Sequence, residues 1–279
     1  VFTAAEFTGI VLIASLLAGF VGSLTGLGGG IIVTPVLTIF LGVDIRYAIG
    51  ASLISVIATS SGSAAAYVRD GYSNIRIGMF LEIATTLGAL LGAFLGTHIP
   101  TAGLGVIFGL ILLQSAWQAS RTHGPHPTSR ASDPLALRLR LNGAYEADGK
   151  QRDYVVRRVR TGFAMMFGAG TLSGLLGIGS GSLKVIAMDQ AMGMPFKVST
   201  ATSNFMIGVT AAASASIYLS RGYVDPSIVM PVMLGVLCGS MIGATFLPRL
   251  PVVVLRRVFA VLVALVGIQM IVNGFGGHI

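Results

Sequence analysis

A chain of 279 residues that is 54% hydrophobic and only 10% charged is not an ordinary soluble domain, since those carry about 25% charged residues. Its net charge of +8 is no nucleic-acid footprint, because nine of the 18 Lys and Arg crowd between Arg121 and Arg160, where four acidic residues leave net +5. The single cysteine, Cys238, excludes an intramolecular disulfide framework and a cysteine metal cluster, and its apolar surroundings predict a buried, inert thiol.

Taken in chain order, the apolar runs predict five helical segments: Phe7–Leu24, Ile31–Leu41, Tyr47–Tyr67, Gly78–Leu95 and Leu104–Trp117. Several approach the ~20 residues that cross a bilayer. The fold class is therefore an all-α polytopic membrane protein, its first run a retained span rather than a cleaved signal. The second run cannot span alone: eleven residues rise about 16 Å as helix, against a hydrocarbon core of about 30 Å. It follows a glycine break, Gly26-Leu27-Gly28-Gly29-Gly30. The break is either a re-entrant region before a half-helix or a tight turn. In both cases irregular backbone at membrane depth must face the protein interior.

The linker comes next. Leu137-Arg138-Leu139-Arg140-Leu141 alternates strictly and predicts a half-buried strand. Ala147-Asp148-Gly149-Lys150 reads as a turn, and Tyr154-Val155-Val156 as a second β-prone stretch. A small hairpin is expected, pinning the two halves together. His123-Gly124-Pro125-His126-Pro127 reads as flexible loop.

Five further segments follow: Thr161–Leu176, Ser182–Met192, Val198–Leu219, Ile228–Phe246 and Val252–Phe275. They repeat the first five at a constant offset of 151 residues. Gly26, Gly28 and Gly30 fall on Gly177, Gly179 and Gly181; Ser52, Thr59 and Ser63 on Ser203, Thr210 and Ser214; Gly88 and Gly92 on Gly239 and Gly243. Tyr67, Gly71 and Tyr72 fall on Tyr218, Gly222 and Tyr223. The chain thus divides into a repeat over 1–118, a basic linker over 119–160 and a second repeat over 161–279. Basic loops stay cytoplasmic. With the linker inside, five segments per half place Arg249, Arg256 and Arg257 inside too, while the matching first-half loop holds no Lys or Arg. That asymmetry is what inverted repeats require, with both termini outside. Four crossings per half would make the repeats parallel, and that alternative stays open.

The two glycine breaks are the candidate site. A helix that starts at such a break presents free N–H groups and the positive end of its dipole, a ready anion site. Thr25, Gly28, Gly29 and Gly30 in one half face Gly179, Ser180, Gly181 and Ser182 in the other, the small residues letting a substrate approach the backbone. Packing alone also explains these glycines. Lys184 stands where the first half has Val33. An ionisable residue deep in a span is a functional candidate; the alternatives are snorkelling to an interface or pairing with Asp189. Ser52, Ser55 and Thr59 share a helix face, and Ser199, Ser203 and Asn204 open its counterpart. These hydroxyls either extend a polar path or bond their own backbone. Glu82 reads as a solvated or paired interfacial carboxylate, with a proton relay as the alternative. No metal or cofactor is expected.

Enzyme chemistry fits poorly. Ser180 lies between glycines, but His98, His123, His126 and His278 all fall in predicted loops or the tail, leaving no base within the spans. Gly177 to Lys184 lacks the spacing and the Ser/Thr of a P-loop.

The run Gly22-Ser23-Leu24-Thr25-Gly26-Leu27-Gly28-Gly29-Gly30-Ile31-Ile32-Val33-Thr34-Pro35, its echo from Gly170 to Lys184, and the paired tyrosine motifs resemble the TauE/SafE-type sulfite exporter family. The likeness covers nearly the whole chain; the second copy departs at Lys184 and at Ile186, which stands in place of Pro35. The resemblance implies transport of small sulfur-containing anions such as sulfite, sulfoacetate or other sulfonates across a bacterial inner membrane. The expected partners are a small anionic substrate and the lipid bilayer, without nucleic acid; a coupling proton or ion and an oligomer are both compatible. The competing readings are a passive anion channel, a carrier of a non-sulfur anion and a membrane hydrolase.

Overall fold

A computed structural model describes residues 4–25, 30–69, 73–120, 132–147, 150–246 and 252–276. The first half forms α1 (Ala4–Thr25), α2 (Gly30–Pro35) running into a π-helical turn (Val36–Phe40), α3 (Ile45–Arg69), α4 (Ile75–Gly96) and α5 (Thr101–Ser120). The second half forms α7 (Val159–Leu176), α8 (Gly181–Ile186) with its own π-helical turn (Ala187–Ala191), α9 (Phe196–Ser220), α10 (Pro226–Phe246) and α11 (Val252–Gly276). Every predicted segment is a helix, and the two short ones follow the breaks. Even the π-helical turns keep the repeat: Val36 and Ala187 are 151 residues apart.

The two halves interlock. α1 packs along α10, α4 along α7, α5 along α11 and α3 along α9. Under the 151-residue shift α1 becomes α7 and α4 becomes α10, so the first two contacts map onto each other. Glycine makes them close. A Cβ on Gly88 would strike the Phe167 carbonyl and the Thr171 amide, and one on Gly239 the Leu16 carbonyl and the Phe20 amide. These are the same contact twice, since 239 follows 88, and 167 follows 16, by 151 residues. Without a hydrophobic drive between helices in lipid, such backbone approach supplies the van der Waals contact.

The outward faces are apolar. On α4, Met79, Ile83, Leu87, Leu91 and Phe94 recur every three or four residues and are exposed. At about 1.5 Å per residue, its 22 residues reach across a hydrocarbon core. An apolar surface of this extent marks contact with a membrane. Cys238 belongs to it: the thiol is exposed, against expectation. Gly235 and Gly239 turn α10 toward α1, which leaves Cys238 on the outer side with Leu234, Met241 and Ile242.

The linker carries the predicted hairpin, shifted in register. β1 (Gly143–Ala147) and β2 (Lys150–Tyr154) pair antiparallel, Gly143 opposite Tyr154. The Asp148-Gly149 turn lies outside the described residues. The expected strand over Leu137–Leu141 is instead the helix α6 (Pro134–Arg138) and a turn. Asp133 decides this. Its carboxylate caps α6 by accepting from the Leu135 N–H at 2.9 Å, with Pro134 at the first helical position. The same carboxylate accepts from the Val159 N–H at 2.9 Å, so one side chain joins the linker to the start of α7. Val155 and Val156 lie beyond β2.

Candidate functional site

The second glycine break is a tight, buried turn. Gly177 and Gly179 both take φ +69° and Ser180 takes φ +44°, the left-handed region that glycine enters freely. A Cβ at Gly177 would also meet Ile49, and one at Gly179 would meet Ile207 and Val56. The break is thus wedged between α3 and α9. Thr25 ends α1 and Gly30 begins α2; Gly28 and Gly29 lie outside the described residues.

Ser52 joins the two breaks. Its hydroxyl reaches the Gly30 carbonyl at 3.0 Å and the Gly177 carbonyl at 2.8 Å. Its repeat-mate Ser203 donates to the Gly181 carbonyl at 3.2 Å, the same bond one repeat later. Ser55 and Thr59 bond the backbone of their own helix, at the Ser52 carbonyl (2.7 Å) and the Ser55 carbonyl (3.1 Å). Ser182 is the second residue of α8. Asn204 is half-buried, and its carbonyl accepts from Ser60 Oγ at 2.7 Å. Ser180 is 2% exposed and its Oγ has no hydrogen-bond partner. Among the described residues nothing satisfies it, and a buried hydroxyl left unsatisfied costs about 1–3 kcal/mol.

Lys184 reaches no interface: it is fully buried. Its ammonium donates to Thr210 Oγ1 at 2.5 Å, and that hydroxyl lies 2.7 Å from Glu82 Oε1. Thr86 Oγ1 donates to the same oxygen at 3.1 Å. Thr210 has one proton. Accepting from Lys184, it passes that proton toward the carboxylate or toward the Met206 carbonyl at 3.0 Å. Cation, hydroxyl and anion are in this way strung across α8, α9 and α4, in a medium where an isolated charge would be costly. Glu82 Oε2 is buried without a partner among the described residues. Glu82 is therefore a buried member of this chain and not a solvated interfacial carboxylate: α4 is covered on this side by α7 and α9.

Ser52, Lys184 and Ser203 are no more than 1% exposed. Among the described residues no cluster of His, Cys, Asp or Glu suits a metal ion. Sequence reasoning missed Thr210 as the bridge. A signal was available: a lysine inside an apolar run needs a counter-charge, and Glu82 is the acid within the first half's spans.

Ser52→Ala should cost about 1–3 kcal/mol, because the single proton shared between two buried carbonyls is lost. Ser203→Ala, which removes one longer bond to a single carbonyl, should cost less than Ser52→Ala. Thermal melting of the two purified variants in one detergent orders them.

The family described as sulfite exporter TauE/SafE matches residues 11–270. The chain is similar to a probable membrane transporter protein of Bacillus subtilis strain 168, YunE, at 27% identity over 95% of this chain and 97% of the relative. It resembles a second from the same strain, YdhB, at 25% identity over 94% and 99% of the two chains. A probable membrane transporter protein of Xylella fastidiosa strain 9a5c is 29% identical over 91% of each. No solved structure matches the chain with significance.

Proposed function

Because the chain belongs to the sulfite exporter TauE/SafE family, we propose that this multi-pass membrane transporter exports a small sulfur-containing anion, such as sulfite, sulfoacetate or another sulfonate, by alternating access. The observation that carries this reading is the convergence of both glycine breaks on Ser52, with the buried Lys184 one turn into the helix that follows the second break. Pseudo-symmetric breaks meeting within the protein are how repeat transporters build a site at mid-depth. Ser180 Oγ and the Lys184 ammonium supply a donor and a charge for the anion, with Gly30, Gly179, Gly181 and Ser203 around them. The repeats are inverted, the linker is cytoplasmic and the membrane is the bacterial inner membrane. The closed arrangement is the occluded state, opened by parting α3 from α9.

Glu82 carries the coupling proton. While it is ionised, Lys184 is held through Thr210; once it is protonated, the ammonium is released to the anion. Proton and anion then share the same step.

The test is a thermal-shift panel in detergent with sulfite, sulfoacetate, taurine, sulfate, thiosulfate and small carboxylates, followed by counterflow in liposomes. A ligand of the native state raises the melting temperature with concentration. The expected result is a selective shift with one sulfur anion and flux that saturates and is stimulated by counterflow. Shifts confined to carboxylates would replace the substrate class, and unsaturable flux would mean a channel.

A further inference from the structure

Away from the glycine breaks, the linker borders an open polar cavity. It measures about 290 Å³ and is lined by Ser73 and Asn74 before α4, Arg76 in its first turn, Arg140 and Asn142 in the linker, and Tyr154 of β2. Among the described residues no carboxylate lines it. Arg76 and Arg140 both belong to its lining. Arg76 donates to the Arg140 carbonyl at 3.0 Å, and neither arginine has a carboxylate partner among the described residues. An anion in the cavity would meet two positively charged side chains, each attracting it.

The walls also hold spare donors. Ser73 Oγ is buried and has no hydrogen-bond partner among the described residues. The Tyr154 hydroxyl accepts from Asn74 Nδ2 at 2.7 Å, and its own proton is not taken up by any described residue. Burial raises the Tyr154 pKa, opposed by the bond from Asn74, so the phenol keeps that proton at neutral pH. Gly143 permits this approach, since a Cβ there would meet the Tyr154 hydroxyl. Arg140 itself is held at φ +51°, a conformation that costs an L-residue free energy and persists where the surroundings demand it.

From the unneutralised arginines, the unsatisfied serine and the spare phenol proton around one cavity, we infer that the linker pocket binds a tetrahedral oxyanion, a phosphate or sulfate group, and thereby ties the linker to the start of α4. Free inorganic phosphate and the phosphate of a membrane lipid share this chemistry. Paired arginines suit it because their planar forks match the oxygen geometry.

The experiment uses the full chain in detergent. Inorganic phosphate is titrated at constant ionic strength, and dioctanoyl phosphatidic acid is titrated against dioctanoylglycerol. Melting temperature and hydrogen exchange over residues 139–146 are followed. The expected result is saturable stabilisation, with slowed exchange in that segment, by phosphate or by the phosphatidic acid; the arm that responds identifies the source. Arg140→Gln should weaken the apparent affinity about tenfold, the worth of one charge-assisted hydrogen bond. Ser73→Ala should weaken it less, and it provides a second reading if the first variant folds poorly. The double variant Glu82→Gln/Lys184→Met should leave this response intact, so it can fail or succeed independently of the substrate site. No saturable response in either arm, or an equal response in wild type and both pocket variants, would overturn the inference.

Discussion

Lys184→Met is expected to abolish transport and to lower stability by about 3–5 kcal/mol, because it leaves a buried carboxylate without its cation. Lys184 and Glu82 are both buried and share Thr210 Oγ1. Removing one end strands the other; removing both leaves little to strand. The double variant Glu82→Gln/Lys184→Met should therefore melt close to wild type yet carry no anion flux. This separates the two roles the lysine has been given. If the double variant melts as early as the single, the coupling through Thr210 is wrong. If the single variant transports normally, the lysine is structural and the substrate site lies elsewhere. Glu82→Gln alone should retain anion binding but lose any dependence of flux on an imposed pH gradient.

Substituting Gly88 should have the largest effect on assembly. Its α-carbon faces the Phe167 carbonyl and the Thr171 amide of α7, backbone atoms that cannot swing aside. Gly88→Ala should cost about 1–3 kcal/mol through overpacking, and Gly88→Leu should leave no monodisperse protein. Gly239→Ala should repeat the loss, because it faces the same contact on α1. Gly168→Ala is the control. It sits on α7 with nothing within 4 Å of its added Cβ, so it should be neutral or raise the melting point, alanine being the better helix former by about 1 kcal/mol. Size-exclusion profiles and thermal melts of the four variants make the comparison. Equal behaviour of Gly88→Ala and Gly168→Ala would remove the close-approach argument.

The helical segments were legible in the sequence to within a few residues because a membrane helix announces itself by composition alone. Glycine-rich breaks were legible because positive φ at Gly177 and Gly179 is a property of the residue type. The linker strand was misplaced for a related reason: five alternating residues say less than the Asp133-Pro134 cap beside them. Cys238 was misplaced because an apolar run does not reveal which of its faces meets lipid and which meets protein. Glu82 was read as interfacial because its depth along α4 could be counted, whereas its cover by α7 and α9 could not.

By itself the sequence determined the class, the segment order, the 151-residue repeat and the position of both breaks, all consequences of local composition, turn chemistry and self-similarity. Only the tertiary structure decided that α1 lies on α10 and α4 on α7, that one serine ties both breaks together, and that Thr210 meets a carboxylate 128 residues away. Those contacts depend on which helix faces fit against which, and in a chain apolar on nearly every face, periodicity does not select among partners. Backbone approach at glycine and the need to satisfy a buried charge do.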